Sequence, residues 1–262
     1  MRNVGIRNIV CSLVCALFTA GIGSAQTVLY FPQFVDGVQA GAGVGWITAI
    51  AVTNPAFFGT SIATGTITVT DANGAPMNTM LTDENGNPGN TFQLAGAQTK
   101  FFLSPQDSAD GPLPFKMGYA TLTSNLPVSA GSVFFEFDAQ KDAIIATAGV
   151  PASTPLTREA IVALGDRNEG LGTGLAIANP GGATATITFQ LLDKSGAPIV
   201  PGGVTRTLPA GNHQAFFISD LFPTAPPSYF GTLRVISDTG IVTAALLFNG
   251  ATFGTIPVIP LP

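Results

Sequence analysis

The chain has 262 residues, 46% of them hydrophobic and only 10% charged, with a formal net charge of −5. So sparse and acidic a charge leaves no basic patch, which excludes nucleic acid and anionic lipid as electrostatic partners. Polarity comes instead from Thr, Ser, Asn, Gln and Gly, a composition that disfavours helices and suits strands.

Residues 1–25 read as an export signal. Arg2 and Arg7 give a basic start, Ile9 to Ala20 is an uncharged apolar run, and Gly23-Ser24-Ala25 offers small residues for cleavage before Gln26. The run is about a dozen residues, short of the ~20 needed to cross a bilayer. No transmembrane segment is expected in the mature chain. Cys11 and Cys15 both lie within the signal. The mature chain would therefore hold no disulfide, thiolate metal site or cysteine nucleophile. The expected location is secreted: extracellular or cell-surface, with the periplasm as the alternative.

Gln26 to Phe34 opens as a strand interrupted by Pro32, which predicts an edge strand or one that switches sheets. Asp36 to Gly45 reads as a glycine-rich loop and Trp46 to Thr53 as a core strand ending at Asn54-Pro55. Thr64 to Asp71 alternates Thr with Ile and Val, the period of a half-buried strand, and Asn73-Gly74 turns it. Asp83 to Asn90 reads as a loop. Further strands are expected at Thr91–Leu94, Thr99–Leu103, Met117–Ser124, Val128–Phe137 and Ala143–Val150. Two prolines in Pro151-Ala152-Ser153-Thr154-Pro155 favour an extended spacer.

The same order then repeats. Gly172 to Asn179-Pro180 matches the Trp46 strand, Ile187 to Leu191 the alternating strand, and Ser195-Gly196-Ala197-Pro198 its turn. Ala215 to Ser219 matches Lys100 to Ser104. Gly231 to Ser237 and Ile241 to Phe248 match the next hairpin, and Ile256 to Ile259 closes the unit. Single helical turns are conceivable only near 103–107 and 219–222. The expected fold is all-β: two tandem immunoglobulin-like antiparallel β-sandwich domains after the signal peptide, at 26–150 and 158–262, joined by a Pro-rich linker at 151–157. One up-and-down barrel would not explain the internal copy.

Phe31-Pro32-Gln33-Phe34-Val35-Asp36-Gly37, the Trp46 to Pro55 strand, Ala148 to Ser153 and Gly174 to Pro180 resemble a family of secreted bacterial proteins with tandem immunoglobulin-like repeats. The resemblance covers nearly the whole mature chain. It implies fold and compartment, and it brings no activity, cofactor or site residue.

Catalytic chemistry finds little support. A Ser-His-Asp site would have to use His213, the only histidine, which is read as a solvated turn residue after Ala210-Gly211-Asn212. No Gly-x-Ser-x-Gly elbow occurs. Glu136 and Asp138 share a strand face, which suits a charged strand end better than a pair of acids across a cleft. Asp83, Asn85 and Asn87 alternate oxygen ligands like the start of a calcium loop. Pro88 and Leu94, however, stand where that loop needs its glycine and its bidentate glutamate. Gly41 to Gly45 precedes a strand and not a helix, so it cannot form a phosphate cradle of the usual kind. No cofactor is expected. Trp46 belongs to the core on this reading, with sugar stacking as the alternative.

The adjacent phenylalanines carry more. Phe57-Phe58, Phe101-Phe102, Phe134-Phe135 and Phe216-Phe217 place one ring on each face wherever the pair lies in a strand. Phe101-Phe102 and Phe216-Phe217, matched in the two halves, form the expected interaction surface, open to self-association or a cell-surface polymer. The expectation is a secreted, non-enzymatic structural or interaction module. The alternatives are a carbohydrate-binding or adhesion protein and, behind it, an unrecognised hydrolase.

Overall fold

The computed structural model describes residues 28–56, 61–105, 107–108, 111–112, 114–140 and 143–262. The expected export signal and the Phe57-Phe58 pair lie outside the described residues.

The chain divides into two units. The first runs to Val69 and resumes over Pro76–Ala152, while the second takes Thr70–Ala75 with Ser153–Pro262. The strands up to Ala152 are β1 (Val28–Val38), β2 (Val44–Thr53), β3 (Ala63–Asp71), β4 (Thr82–Asp83), β5 (Thr91–Leu94) and β6 (Thr99–Leu103). They continue with the short β7 (Asp107–Ser108) and β8 (Gly111–Pro112), then β9 (Lys116–Ser124), β10 (Ser129–Asp138) and β11 (Ala143–Pro151). Beyond Ser153 lie β12 (Leu156–Asp166), β13 (Leu171–Ala178), β14 (Ala185–Asp193), β15 (Val204–Leu208) and β16 (His213–Phe217). One helical turn, α1 (Ile218–Leu221), follows, then β17 (Ser228–Asn249), β18 (Thr252–Ile256) and β19 (Val258–Pro260). The residues read as a linker are shared out: Pro151 ends β11, Leu156 starts β12, and 152–155 lie between.

The fold is all-β, and each unit is an antiparallel sheet curled over its own core. In the first unit one half-sheet runs β1-β9-β3-β5. The other runs β11-β10-β2-β6, with β4 on the free side of β6. β1 joins the halves. It pairs with β9 from Val28 to Asp36, slips register between Phe31 and Phe34 around Pro32, and pairs with β2 at Gly37 and Val38. Proline cannot donate to the ladder, and the slip absorbs it. Of the two roles expected for this strand, the chain uses the sheet switch. The strand also runs further than expected, so the glycine-rich loop shrinks to 39–43.

The second unit repeats the pairing with β12, β13, β14, β15, β16 and β18 in the places of β1, β2, β3, β5, β6 and β11. One difference corrects the sequence reading. The segments expected to form a hairpin are a single strand, β17. Its first half lies between β12 and β14, and its second between β13 and β18. In the first unit Asn125-Leu126-Pro127-Val128 breaks the same path into β9 and β10.

The first unit's core takes Phe31 and Phe34 from β1, Ile67 and Val69 from β3, Leu122 from β9, Ile50 and Val52 from β2, and Phe102 from β6. The other face of β2 is apolar too. Ile47, Ala49 and Ala51 join Leu103, Val133 and Phe135 in a second buried cluster. The second unit's core includes Ile161, Ile177, Phe189, Leu191, Leu233 and Ile218 of α1.

The Asn-Pro landmarks close one end of each unit. Asn179 Nδ2 donates to the carbonyls of Ala183 (2.7 Å), Leu208 (2.9 Å) and Pro209 (3.2 Å), and its Oδ1 accepts Gly181 N–H. Asn54 does the same with the carbonyls of Ser61 and Leu94 and the N–H of Ala56. A buried amide thus ties the loop after β2 or β13 to the strand before β6 or β16. That supplies partners to backbone groups at the closed end of the fold.

Candidate interaction surface

The strand pairing places every side chain of the two phenylalanine pairs. In β6, Phe101, Phe102 and Leu103 stand opposite Ala51, Ile50 and Ala49. In β16, Phe216 and Phe217 stand opposite Leu175 and Gly174. Counted from the Asn-Pro landmarks, Ala49 corresponds to Gly174. Leu103 therefore corresponds to Phe217, and Phe102 to Phe216. The two pairs are one residue out of step. Matching them as identical dipeptides ignored the period of two, where a slip of one residue exchanges the faces.

The consequences differ from pair to pair. Phe102 is fully buried and Phe101 is half-buried against the second cluster of its unit. Phe134 and Phe135 are both buried. Phe216 packs edge-on against Phe189 of its core, with ring centroids 5.8 Å apart. Phe217 alone of these rings is largely open, at 40% exposure.

Phe217 does not stand by itself. Its centroid is 5.1 Å from Phe248 of β17, which is 5.5 Å from Phe253 of β18. Beneath them β13 carries Gly172 and Gly174. A Cβ on Gly174 would lie 2.8 Å from Phe248 Cε2, and one on Gly172 would lie 3.4 Å from Phe217 Cδ1. The glycines let the rings lie down on the strand. In the first unit the corresponding positions are Ile47 and Ala49, and that face is buried, with Phe135 and Phe137 closed in beside Leu103 and Val133. The rings meet at 68° and 41°. The rings therefore share no common plane.

The other half-sheet of this unit carries apolar residues that the sequence reading passed over. Val162, Phe230 and Ile259 are exposed, Phe230 opposite Leu164 and Ile259 opposite Ala160. Their alternation with core residues was the available signal.

The remaining candidates fall elsewhere. Asp83, Asn85 and Asn87 form a tight hairpin turn. Asp83 Oδ1 accepts the N–H of Asn85 and Asn87, Oδ2 accepts Asn87 Nδ2, and Gly86 takes φ 84°. Asp71 and Asp193 cap their own turns in the same way, with Gly74 and Gly196 at φ 85° and 84°. The bonds to Asn87 hold the Asp83 carboxyl below its ordinary value. Among the described residues no group of three or more His, Cys, Asp or Glu could hold a metal ion.

Two expectations about single residues need correction. His213 is the first residue of β16 and only 2% exposed, not a solvated turn residue. Trp46 is half-buried in β2, opposite Gly37 and Glu136, and does not belong to the core clusters. Glu136 is also half-buried, which raises its carboxyl.

The sequence reading missed two buried acids. Asp36 of β1 is fully buried, and burial pushes its carboxyl up to about 6, against the opposing pull of Ser104 and Lys116. Glu159 of β12 is 1% exposed, and burial pushes its carboxyl up to about 7, with Thr243 pulling the other way. Neither side chain meets a donor at full hydrogen-bond geometry. Compared with known proteins, the chain matches no protein-family model and no curated protein sequence.

Proposed function

We propose that this chain is an exported, non-enzymatic interaction module built from two immunoglobulin-like sandwiches, and that it makes contact through the second. The apolar stretch Ile9–Ala20 and the small residues ahead of Gln26 support export. The repeated strand order supports the immunoglobulin-like assignment. One observation carries the interaction reading: Phe217 lies open over Gly172 and Gly174 beside the half-buried Phe248, whereas the matching face of the first unit is buried. Burying one such ring is worth about 1.5–3 kcal/mol, so the strip would sustain a weak contact and not a tight one after association costs.

Light scattering over a concentration series tests this. The wild type is expected to self-associate weakly or to be retained on an apolar surface, and Phe217→Ser to abolish either behaviour while leaving the melting temperature nearly unchanged. A wild type that is monomeric at every concentration and unretained, together with a sharp fall in melting temperature for Phe217→Ser, would make the ring ordinary packing.

A further inference from the structure

Glu159 occupies a place that its own repeat fills with a hydrocarbon. It stands opposite Val235 on β17, as Leu29 on β1 stands opposite Leu122 on β9. Its side chain points to the same side of β12 as the core residues Ile161 and Ala163. Packing therefore does not require a carboxyl there, and burying one without full hydrogen bonding is costly. On the other edge of β12 it stands opposite Pro260 of β19. That strand is held by three residue pairs, by Leu261 N–H donating to Arg158 O (3.0 Å) and by the Arg158 guanidinium donating to Pro262 O (3.3 Å). Leu261 and Arg158 form the hydrogen-bonded pair beside it, so Glu159 and Pro260 are a non-hydrogen-bonded pair and no backbone bond of this ladder is made at the acid itself.

The groups around Glu159 bring no compensating charge. From β17 it is faced by Val235 and by the hydroxyl of Thr243, and from β19 by Pro260. Val258, Ile259 and Pro260 are all uncharged. Arg158 is exposed and turned to Pro262. Arg234 shares the opposite face with its cross-strand partner Ala160, and Asp238 accepts Thr186 N–H at the surface.

We propose that Glu159 is a proton-operated latch on β19: neutral, it lets the strand stay seated on β12, and ionised, it draws water to this edge and frees the strand. Freeing β19 exposes the backbone of Glu159–Ile161 as an open strand edge. The carboxyl sits at about 7 when seated and would return to its ordinary 4.5 when freed. Between pH 6 and 8 the open form should then become about tenfold more populated.

Hydrogen exchange on the full chain, read by mass spectrometry and corrected for intrinsic rates, tests the latch. Protection of the peptide containing Leu261 is expected to fall about tenfold from pH 6 to pH 8 in the wild type. It should stay level in Glu159→Gln and in Glu159→Leu, the second of which copies the residue of the first unit and so guards against a variant that misfolds. The same pH slope in all three proteins would overturn the proposal. So would a wild-type loss of protection shared equally by β13 and β16, because the acid would then set the stability of the whole unit and not the seating of one strand.

Discussion

Asn179 shows how much one buried side chain can hold. Its amide satisfies three carbonyls and one N–H on segments far apart in sequence. Replacing it by Ala leaves those carbonyls without a donor, at a cost of about 2–4 kcal/mol. Urea denaturation of Asn179→Ala should show that loss, and an unchanged midpoint would refute the clamp. Asp36 makes a prediction of opposite character. Its carboxyl lies at about 6 in the fold against 3.8 for the free side chain, so the native state holds the proton more tightly. Its contribution to stability is complete below pH 4, falls as pH rises from 4 to 6, and is level above that, a total of about 3 kcal/mol. Asp83, Asp193 and Asp238, whose carboxyls are lowered, act in the other direction and do so below pH 4. Denaturation midpoints at pH 4, 5 and 6 should thus decline in the wild type and decline less in Asp36→Asn. Equal slopes would show that burial does not shift this acid. The sequence hid both Asp36 and Glu159, because an acidic residue is read as surface unless something marks a partner for it. It hid the burial of His213 for the same reason.

Among the elements, the strands with clear alternation were legible to the residue: Thr91–Leu94 and Thr99–Leu103 fall as expected, as do the turns at Asn73-Gly74 and Ser195-Gly196. Less legible was how strands share sheets. Nothing local distinguishes a hairpin from the path of β17, because the continuity of Ser228–Asn249 depends on β12, β14, β13 and β18 lying alongside. The aromatic strip went unread for a related reason. Phe248 meets Phe253 only through the pairing of β17 with β18, and Phe217 meets Phe248 only across Gly172 and Gly174 of β13. Gly174→Val should lift Phe248 at a cost of about 1–3 kcal/mol, since the added side chain must occupy the space the ring fills. Thermal melting with dye binding reads this as a lower midpoint and more exposed apolar surface. A variant that melts and binds dye like the wild type would mean that the rings do not rest on the strand.

At the scale of the whole molecule, each unit has its own apolar core and its own complete pairing scheme. Gln26–Ala152 and Leu156–Pro262, expressed apart, should each melt cooperatively. A half that stays unfolded would show that it depends on the other. The edge pairing of β12 with β19 also carries a mechanical consequence. These strands open and close the second unit, and they run antiparallel, so Leu156 and Pro262 emerge at the same end of the ladder. A tensile load applied through those two points falls first on the Leu261–Arg158 bond and then on the pairs from Glu159–Pro260 to Ile161–Val258 in succession. The second unit would yield by peeling, one backbone contact at a time and at low force. In the first unit Val28 lies against Thr123 in one half-sheet and Pro151 against Gly131 in the other. Among the described residues no shared ladder joins these two strand ends, so the same load applied at Val28 and Pro151 does not unzip them in this way.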